Sequence, residues 1–313
     1  GQVKMLRKQG LKADSIAELI SDLNRRLFSR LFDMLAPAEL KAKACLIVMG
    51  SEGRGEQTVR TDQDNGLVFV SDNPAHDREK WLKFARRVNE ALDQCGYPLC
   101  KGNIMASNPQ CCLTVDEWHQ RFEDWMERGA PEDLLKASIY FDMRPLVGQE
   151  ELTRTLRELI VSKAAALPRF IKQMADNSLR SRVPLNWLGA METQDVEGRG
   201  MINLKLNGTA IFVDVARLYA LAHGIAQTGT RERFEALGPV LKAQPHESQA
   251  WIASFEYLQM LRLQVQMSQT EGPPDQANMI ELATLNDIDR RILKESLRVA
   301  RGLQQKMELD YRR

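Results

Sequence analysis

Apolar positions along this chain recur with two different periods, and the change from one to the other divides it. Between Leu46 and Val70 they come in two dense runs, the second of which, Leu67, Val68, Phe69 and Val70, has the residue types that buried strands favour. The polar stretch between the runs, GSEGRGEQTVRTDQDN, is rich in glycine. The whole reads as strand, glycine turn, short polar helix or loop, and strand, with Asp62-Gln63-Asp64 opening the second strand. Elsewhere the period is helical. Ile16, Leu19, Ile20, Leu23, Leu27 and Leu31 predict a helix with Asp14 or Ser15 as its N-cap, ended by Pro37. Trp81, Phe84, Ala85, Val88, Ala91 and Leu92 predict another over Pro74–Cys95, stopped by Gly96. A third, over 115–128, is built around Trp118, Phe122 and Trp125 with Thr114 as cap. Tyr97–Pro109 is rich in turn formers and reads either as an ordinary surface loop or as one in which Gly102 and Asn103 allow close backbone approach to a ligand. Residues 137–145, ASIYFDMRP, form a short β-favouring run broken by Asp142.

Beyond Gly148 helical periodicity runs through Leu152–Leu167, Phe170–Leu179, Ile211–Ile225, Arg231–Leu241, Gln249–Met267 and Leu285–Met307. Within Pro184–Leu206 two β-like runs flank Glu197-Gly198-Arg199-Gly200 and predict a hairpin, while Thr270–Asp275 reads as a flexible loop. The expected class is α+β: a short mixed sheet flanked by helices, followed by an α-helical bundle. The expected division is an N-terminal helix over 1–40, an α/β domain over 41–148 and a helical domain over 149–313, with the candidate site in the cleft between the last two. Residues 1–10 read as the middle of a basic helix, as in a truncated chain.

Composition narrows the picture further. With 43 basic and 42 acidic residues among 313, the net charge of +1 leaves no broad footprint for a nucleic-acid backbone. The five cysteines, Cys45, Cys95, Cys100, Cys111 and Cys112, lack paired C-x-x-C spacing, so a reducing cytoplasm is the expected setting. His76, His119, His223 and His246 form no metal-binding motif, and neither a membrane span nor a signal peptide is recognisable.

The candidate chemistry lies in the glycine-rich stretch. On a strand Asp62 and Asp64 share a face, and two neighbouring carboxylates resist ionising together unless a cation sits between them. Gly50-Ser51, at the carboxyl end of the first strand, offers backbone N–H groups and a hydroxyl to a phosphate. Mg²⁺ takes one or two protein carboxylates plus phosphate oxygens, so the pair of features implies a metal–nucleotide site. The glycine spacing matches neither G-x-G-x-x-G nor a P-loop, which leaves a glycine turn beside a solvated acidic strand end as the plain alternative. Asp142, costly inside an apolar strand, is the candidate third metal carboxylate, or else the partner of Arg144 in a buried salt bridge. Arg144 beside it suits bidentate phosphate contact, as does Arg54 in the glycine string; Lys205 and Arg262 are further candidates for the triphosphate.

Gly50-Ser51 followed by Asp62-x-Asp64 resembles the signature of the DNA polymerase β-type nucleotidyltransferase superfamily. The longer string GSEGRGEQTVRTDQDN, with YPLCKGNIMASNPQ, ASIYFDMRPLVG and INLKLNGTAIFVDVARLYALAHGI, is similar to bacterial signal-transduction nucleotidyltransferases that are often fused to CBS or cyclic-nucleotide-binding domains. These are relatives of the PII uridylyltransferase and the glutamine synthetase adenylyltransferase. The resemblance implies a polymerase β-like catalytic domain, in which Asp62, Asp64 and Asp142 hold Mg²⁺ (or Mn²⁺) while Gly50 and Ser51 hold a nucleoside triphosphate such as ATP. It also implies regulatory domains upstream, a role for Asn203, Lys205 and Gly208 in the substrate-binding part, and a signalling protein as acceptor. The expected activity is transfer of a nucleoside monophosphate to that acceptor. A nucleotide-sensing or protein-interaction module with weak turnover is the alternative, and polymerase-like action on nucleic acid is disfavoured by the charge.

Overall fold

The computed structural model describes residues 12–268 and 276–312, so the expectations for residues 1–10 and for Thr270–Asp275 fall outside or largely outside what is described. The chain folds as two compact units, one formed by Ala17–Phe170 and the other mainly by Ile171–Arg313. The N-terminal unit is built on strands β1 (Ala44–Val48), β2 (Asn65–Phe69), β3 (Cys112–Thr114) and β4 (Arg144–Gly148). They lie in the order β3-β2-β1-β4, with β1 antiparallel to β2 and β4 and with β2 parallel to β3, which is the small mixed sheet expected. Its helices are α1 (Ala13–Leu35), α2 (the single turn Gly50–Gly53), α3 (Pro74–Gln94), α4 (Val115–Arg128), α5 (Pro131–Ala137) and α6 (Glu150–Ala164).

Every residue of β1 and β2 is buried, because both faces of the sheet are covered. On one face Ala44, Leu46, Val48, Leu67 and Phe69 pack with Phe28 and Phe32 of α1 and with Trp81, Phe84, Val88 and Leu92 of α3. Phe32, Trp81 and Phe84 make a stacked and edge-on aromatic trio. On the other side Thr153 of α6 donates to Cys45 at 3.3 Å, and the Trp118 indole of α4 donates to the Leu67 carbonyl at 2.9 Å. There Trp118 and Trp125 join Phe122, Tyr140, Phe141 and Phe170 in one aromatic cluster.

Several local expectations are corrected. α1 begins at Ala13, so Asp14 and Ser15 fall in its first turn rather than at its cap. The second strand opens at Asn65, after Asp62-Gln63-Asp64 rather than with it. Asp142 ends a 3₁₀ turn, Ser138–Asp142, and β4 starts two residues later; the apolar run that suggested a strand is too short for periodicity to separate the two forms. Thr114 caps α4 as expected, and Glu117 completes a capping box with it.

The C-terminal unit is a helical bundle of α8 (Ala210–Ala222), α9 (Thr230–Val240), α10 (Pro245–Ser268) and α11 (Asp287–Tyr311), preceded in the chain by α7 (Pro168–Ser178). Apolar on nearly all sides, α8 is the inner helix. The expected hairpin is β5 (Gln194–Val196) and β6 (Arg199–Asn203), turned by Glu197 and Gly198 at φ of 54° and 79°. An unforeseen third strand, β7 (Met279–Glu281), pairs with β6. No helix among the described residues is long and apolar enough to cross a membrane.

Candidate active site

β1 ends against a turn whose two glycines are required for different reasons. Gly50 has φ +57°, and a Cβ there would stand 2.6 Å from the Asp64 carboxylate oxygen Oδ2. At Gly53 a Cβ would stand 2.3 Å from the Asp142 carbonyl oxygen and 3.1 Å from that of Val48. The turn is therefore wedged between the segment carrying Asp64 and the one carrying Asp142. The N–H groups of residues 53–56 close back onto the carbonyls of residues 49–52, so the donors a ligand would meet are those at the start of the turn, beside the half-buried Ser51.

Asp62 is exposed and Asp64 half-buried, whereas Gln63 between them is buried, which is the alternation expected of extended backbone. Gln63 is anchored by its own side chain. Its Nε2 donates to the carbonyls of Tyr97 and Asn89 at 2.8 and 2.9 Å, and its backbone N–H donates to Pro98 at 3.0 Å. Asn89 of α3 returns an Nδ2 donor to Gln63 Oε1 at 2.8 Å and another to Asn65 Oδ1 at 3.0 Å. Asn65 in turn accepts from the Ala106 N–H at 2.8 Å, which ties the Tyr97–Pro109 loop to the start of β2. Within that loop Cys100 lies against the site, its Sγ 3.4 Å from Asp64 Oδ1, and Asn103 rather than Gly102 takes the positive φ, at 55°.

Asp142 is fully buried, and its Oδ2 accepts from Arg54 Nη1 at 2.9 Å; Arg54 Nε donates to Glu56 Oε2 at 2.8 Å. The salt bridge envisaged for Asp142 is thus made with Arg54, not Arg144. Arg144 instead holds the turn, donating from Nε and Nη2 to the Glu52 carbonyl at 3.2 and 3.0 Å and from Nη2 to Ser21 Oγ at 2.9 Å. The Glu52 side chain is 3% exposed, and its Oε1 has no hydrogen-bond partner among the described residues. Burial raises its pKa from 4.5 to about 8; the Arg144 charge opposes that shift and Asp64 adds to it.

The structure thus brings Gly50, Ser51, Arg54, Asp64 and Asp142 around one turn and leaves Asp62 exposed close by in the chain. No group of three or more His, Cys, Asp or Glu among the described residues is arranged to hold a metal ion. Lys205 is an exposed residue of the C-terminal unit, in the π-turn Lys205–Thr209, where Asn203 Oδ1 accepts from its N–H. Arg262 of the same unit is buried and donates to Asn278, Thr209 and Gln259.

Sequence reasoning missed Ser21, Asn24, Glu52, Gln57, Asn65 and Asn89. The available signal was polar residues inside apolar stripes: Asn24 sits four residues before the buried Phe28 in α1, and Asn89 lies between Val88 and Leu92 in α3. No curated protein matches the chain. The family model described as "Putative nucleotidyltransferase DUF294" matches residues 1–132, and that described as "Putative nucleotidyltransferase substrate binding domain" matches residues 168–311. The Gly-Ser turn and the carboxylate segment both fall inside the first match, and the helical bundle falls inside the second. With nearly all of its length taken up by these two domains, the chain belongs to this nucleotidyltransferase family.

Proposed function

We propose that this protein transfers a nucleoside monophosphate from a nucleoside triphosphate to an acceptor hydroxyl in a Mg²⁺-dependent reaction, the acceptor being a signalling protein as for the PII uridylyltransferase. The observation that carries the reading is the contact of Asp64 with Gly50: a phosphate-type turn and a carboxylate are built into one site so tightly that no side chain fits between them. The donor set suits a hard divalent cation, which needs one or two carboxylates and takes its remaining ligands from water and phosphate; Asp64 and Asp62 would supply them. Once bound, such an ion would lower the pKa of the acceptor hydroxyl and neutralise charge on the departing pyrophosphate.

The protein's own groups do the rest. Ser51 and the first N–H groups of the turn donate to the β- and γ-phosphates, while Arg144 keeps the turn in place through the Glu52 carbonyl. Arg54 follows the turn directly; its transfer from Asp142 to the triphosphate would leave Asp142 as third carboxylate and proton acceptor. A second reading, a nucleotide-sensing module with little turnover, is favoured by that same ion pair, which neutralises Asp142 in the structure.

Calorimetric titration of the four ribonucleoside triphosphates, with and without Mg²⁺, tests the reading against the parent and an Asp62→Ala/Asp64→Ala variant. Binding of a triphosphate that needs Mg²⁺ and is lost in the variant is expected; equal binding by both proteins would refute the assignment. Mg²⁺-dependent binding without pyrophosphate release in the presence of cell extract would select the sensing module.

A further inference from the structure

We propose that helix α1 is part of the nucleotidyltransferase apparatus, with Ser21 and Asn24 as positioning residues for the Gly50–Gly53 turn and for the segment that carries Asp62 and Asp64. The inference rests on the function proposed above, and it starts from an anomaly in the core. Asn24 is 1% exposed on the inward face of α1, where the pattern calls for an apolar residue. Both ends of its amide are used: Nδ2 donates to Gln57 Oε1, and Oδ1 accepts from the Tyr97 hydroxyl. A buried amide bonded in this way adds little stability over a well-packed leucine, but it demands two particular partners in particular places.

Both partners flank the site. Gln57, itself 3% exposed, lies in the irregular stretch between α2 and β2 that leads to the two aspartates. Tyr97 offers its carbonyl to the side chain of Gln63, the residue between Asp62 and Asp64. Asn24 thus fixes that segment at two points, directly through Gln57 and through Tyr97 and Gln63. Ser21, one turn earlier on the same face, fixes the other half. Its hydroxyl accepts from Arg144 at 2.9 Å, and the same guanidinium grips the Glu52 carbonyl in the turn that follows Ser51. One face of one helix therefore sets the phosphate turn and the carboxylates relative to each other. Irregular backbone at a binding site needs this kind of support to stay within a fraction of an ångström of its working geometry.

The test uses hydrogen exchange read by mass spectrometry, together with calorimetric titration of the four ribonucleoside triphosphates with Mg²⁺. Asn24→Leu/Gln57→Met/Tyr97→Phe removes both side-chain hydrogen bonds of Asn24 and replaces them with apolar side chains of similar size. It is expected to keep the parent's circular dichroism, to raise exchange over residues 57–64 by about tenfold and to weaken triphosphate binding by about tenfold. Ser21→Ala should do the same for residues 53–56, whose N–H groups close the turn, and Ser21→Thr should keep the parent's behaviour. A folded triple variant with the parent's exchange and affinity would overturn the proposal. If the triple variant does not fold, Ser21→Ala decides: unchanged exchange at 53–56 and unchanged affinity would be equally fatal. Should the parent bind no triphosphate, the functional reading fails, while the exchange comparison still judges the positioning.

Discussion

Glu52 is the residue whose replacement should change stability most legibly. Its carboxyl is 3% exposed with one oxygen lacking a partner, and burial lifts its pKa from 4.5 to about 8. Below pH 4.5 the group is protonated in the folded and the unfolded chain alike and has no effect on the balance. Between 4.5 and about 8 the unfolded chain releases the proton and the folded chain keeps it, so stability falls as pH rises and levels off above about 8. At about 1.4 kcal/mol per pH unit, the loss by pH 7 is about 3 kcal/mol, a large share of the roughly 5–15 kcal/mol typical of a folded protein. Glu52→Gln keeps the shape and removes the ionisation. Urea denaturation of parent and variant at intervals from pH 4.5 to 8.5 should give curves that nearly meet at the acid end and diverge steadily toward pH 8, with the variant the more stable. Taking the difference cancels every other titrating group. Parallel curves between pH 5 and 8 would refute the reasoning, because they would mean that Glu52 ionises as freely in the folded chain as in the unfolded one.

Other substitutions probe the same turn. Arg54→Met takes the ion pair from the fully buried Asp142 and should cost roughly 3–5 kcal/mol at neutral pH, most of it recovered in Arg54→Met/Asp142→Asn; equal losses in urea denaturation of the two variants would count against a buried ionic contact. Gly50→Ala puts a Cβ 2.6 Å from Asp64 Oδ2 at a φ of +57°. It should lower stability by about 1–2 kcal/mol and displace the carboxylate, weakening Mg²⁺-dependent nucleotide binding; binding at the parent's level would show that Asp64 does not need its place. Ser51→Ala should weaken triphosphate binding about tenfold at an unchanged melting temperature, and unaltered affinity by calorimetry would remove the hydroxyl from the cradle.

Much of the fold was legible because its signals are local. Trp81, Phe84, Val88 and Leu92 repeat at helical spacing and Gly96 stops them; Thr114 and Glu117 stand at capping-box spacing; Glu197-Gly198 supplies the left-handed turn of the hairpin. The juxtaposition of Gly50 with Asp64 was legible as chemistry, since both residue types suit a phosphate and a cation. The partners of the buried polar groups were not. Asp142 meets Arg54 across 88 residues of sequence, and Asn24 meets Tyr97 across 73, distances over which no periodicity carries information. Strands β3 and β7, at three residues each, are too short for an alternating pattern to declare itself.

The small sheet of the N-terminal unit ends on both sides in strands poorly suited to extension. β4 carries Pro145, which has no N–H to offer, and its register against β1 shifts between Leu46 and Ile47. β3 is three residues long and runs at once into the capped start of α4. Neither edge presents a straight, unpaired ladder, so this unit is guarded against the edge-to-edge joining that leads β-proteins into aggregates. The same guard bears on recognition: neither edge of this sheet offers the proposed acceptor a template for adding a strand.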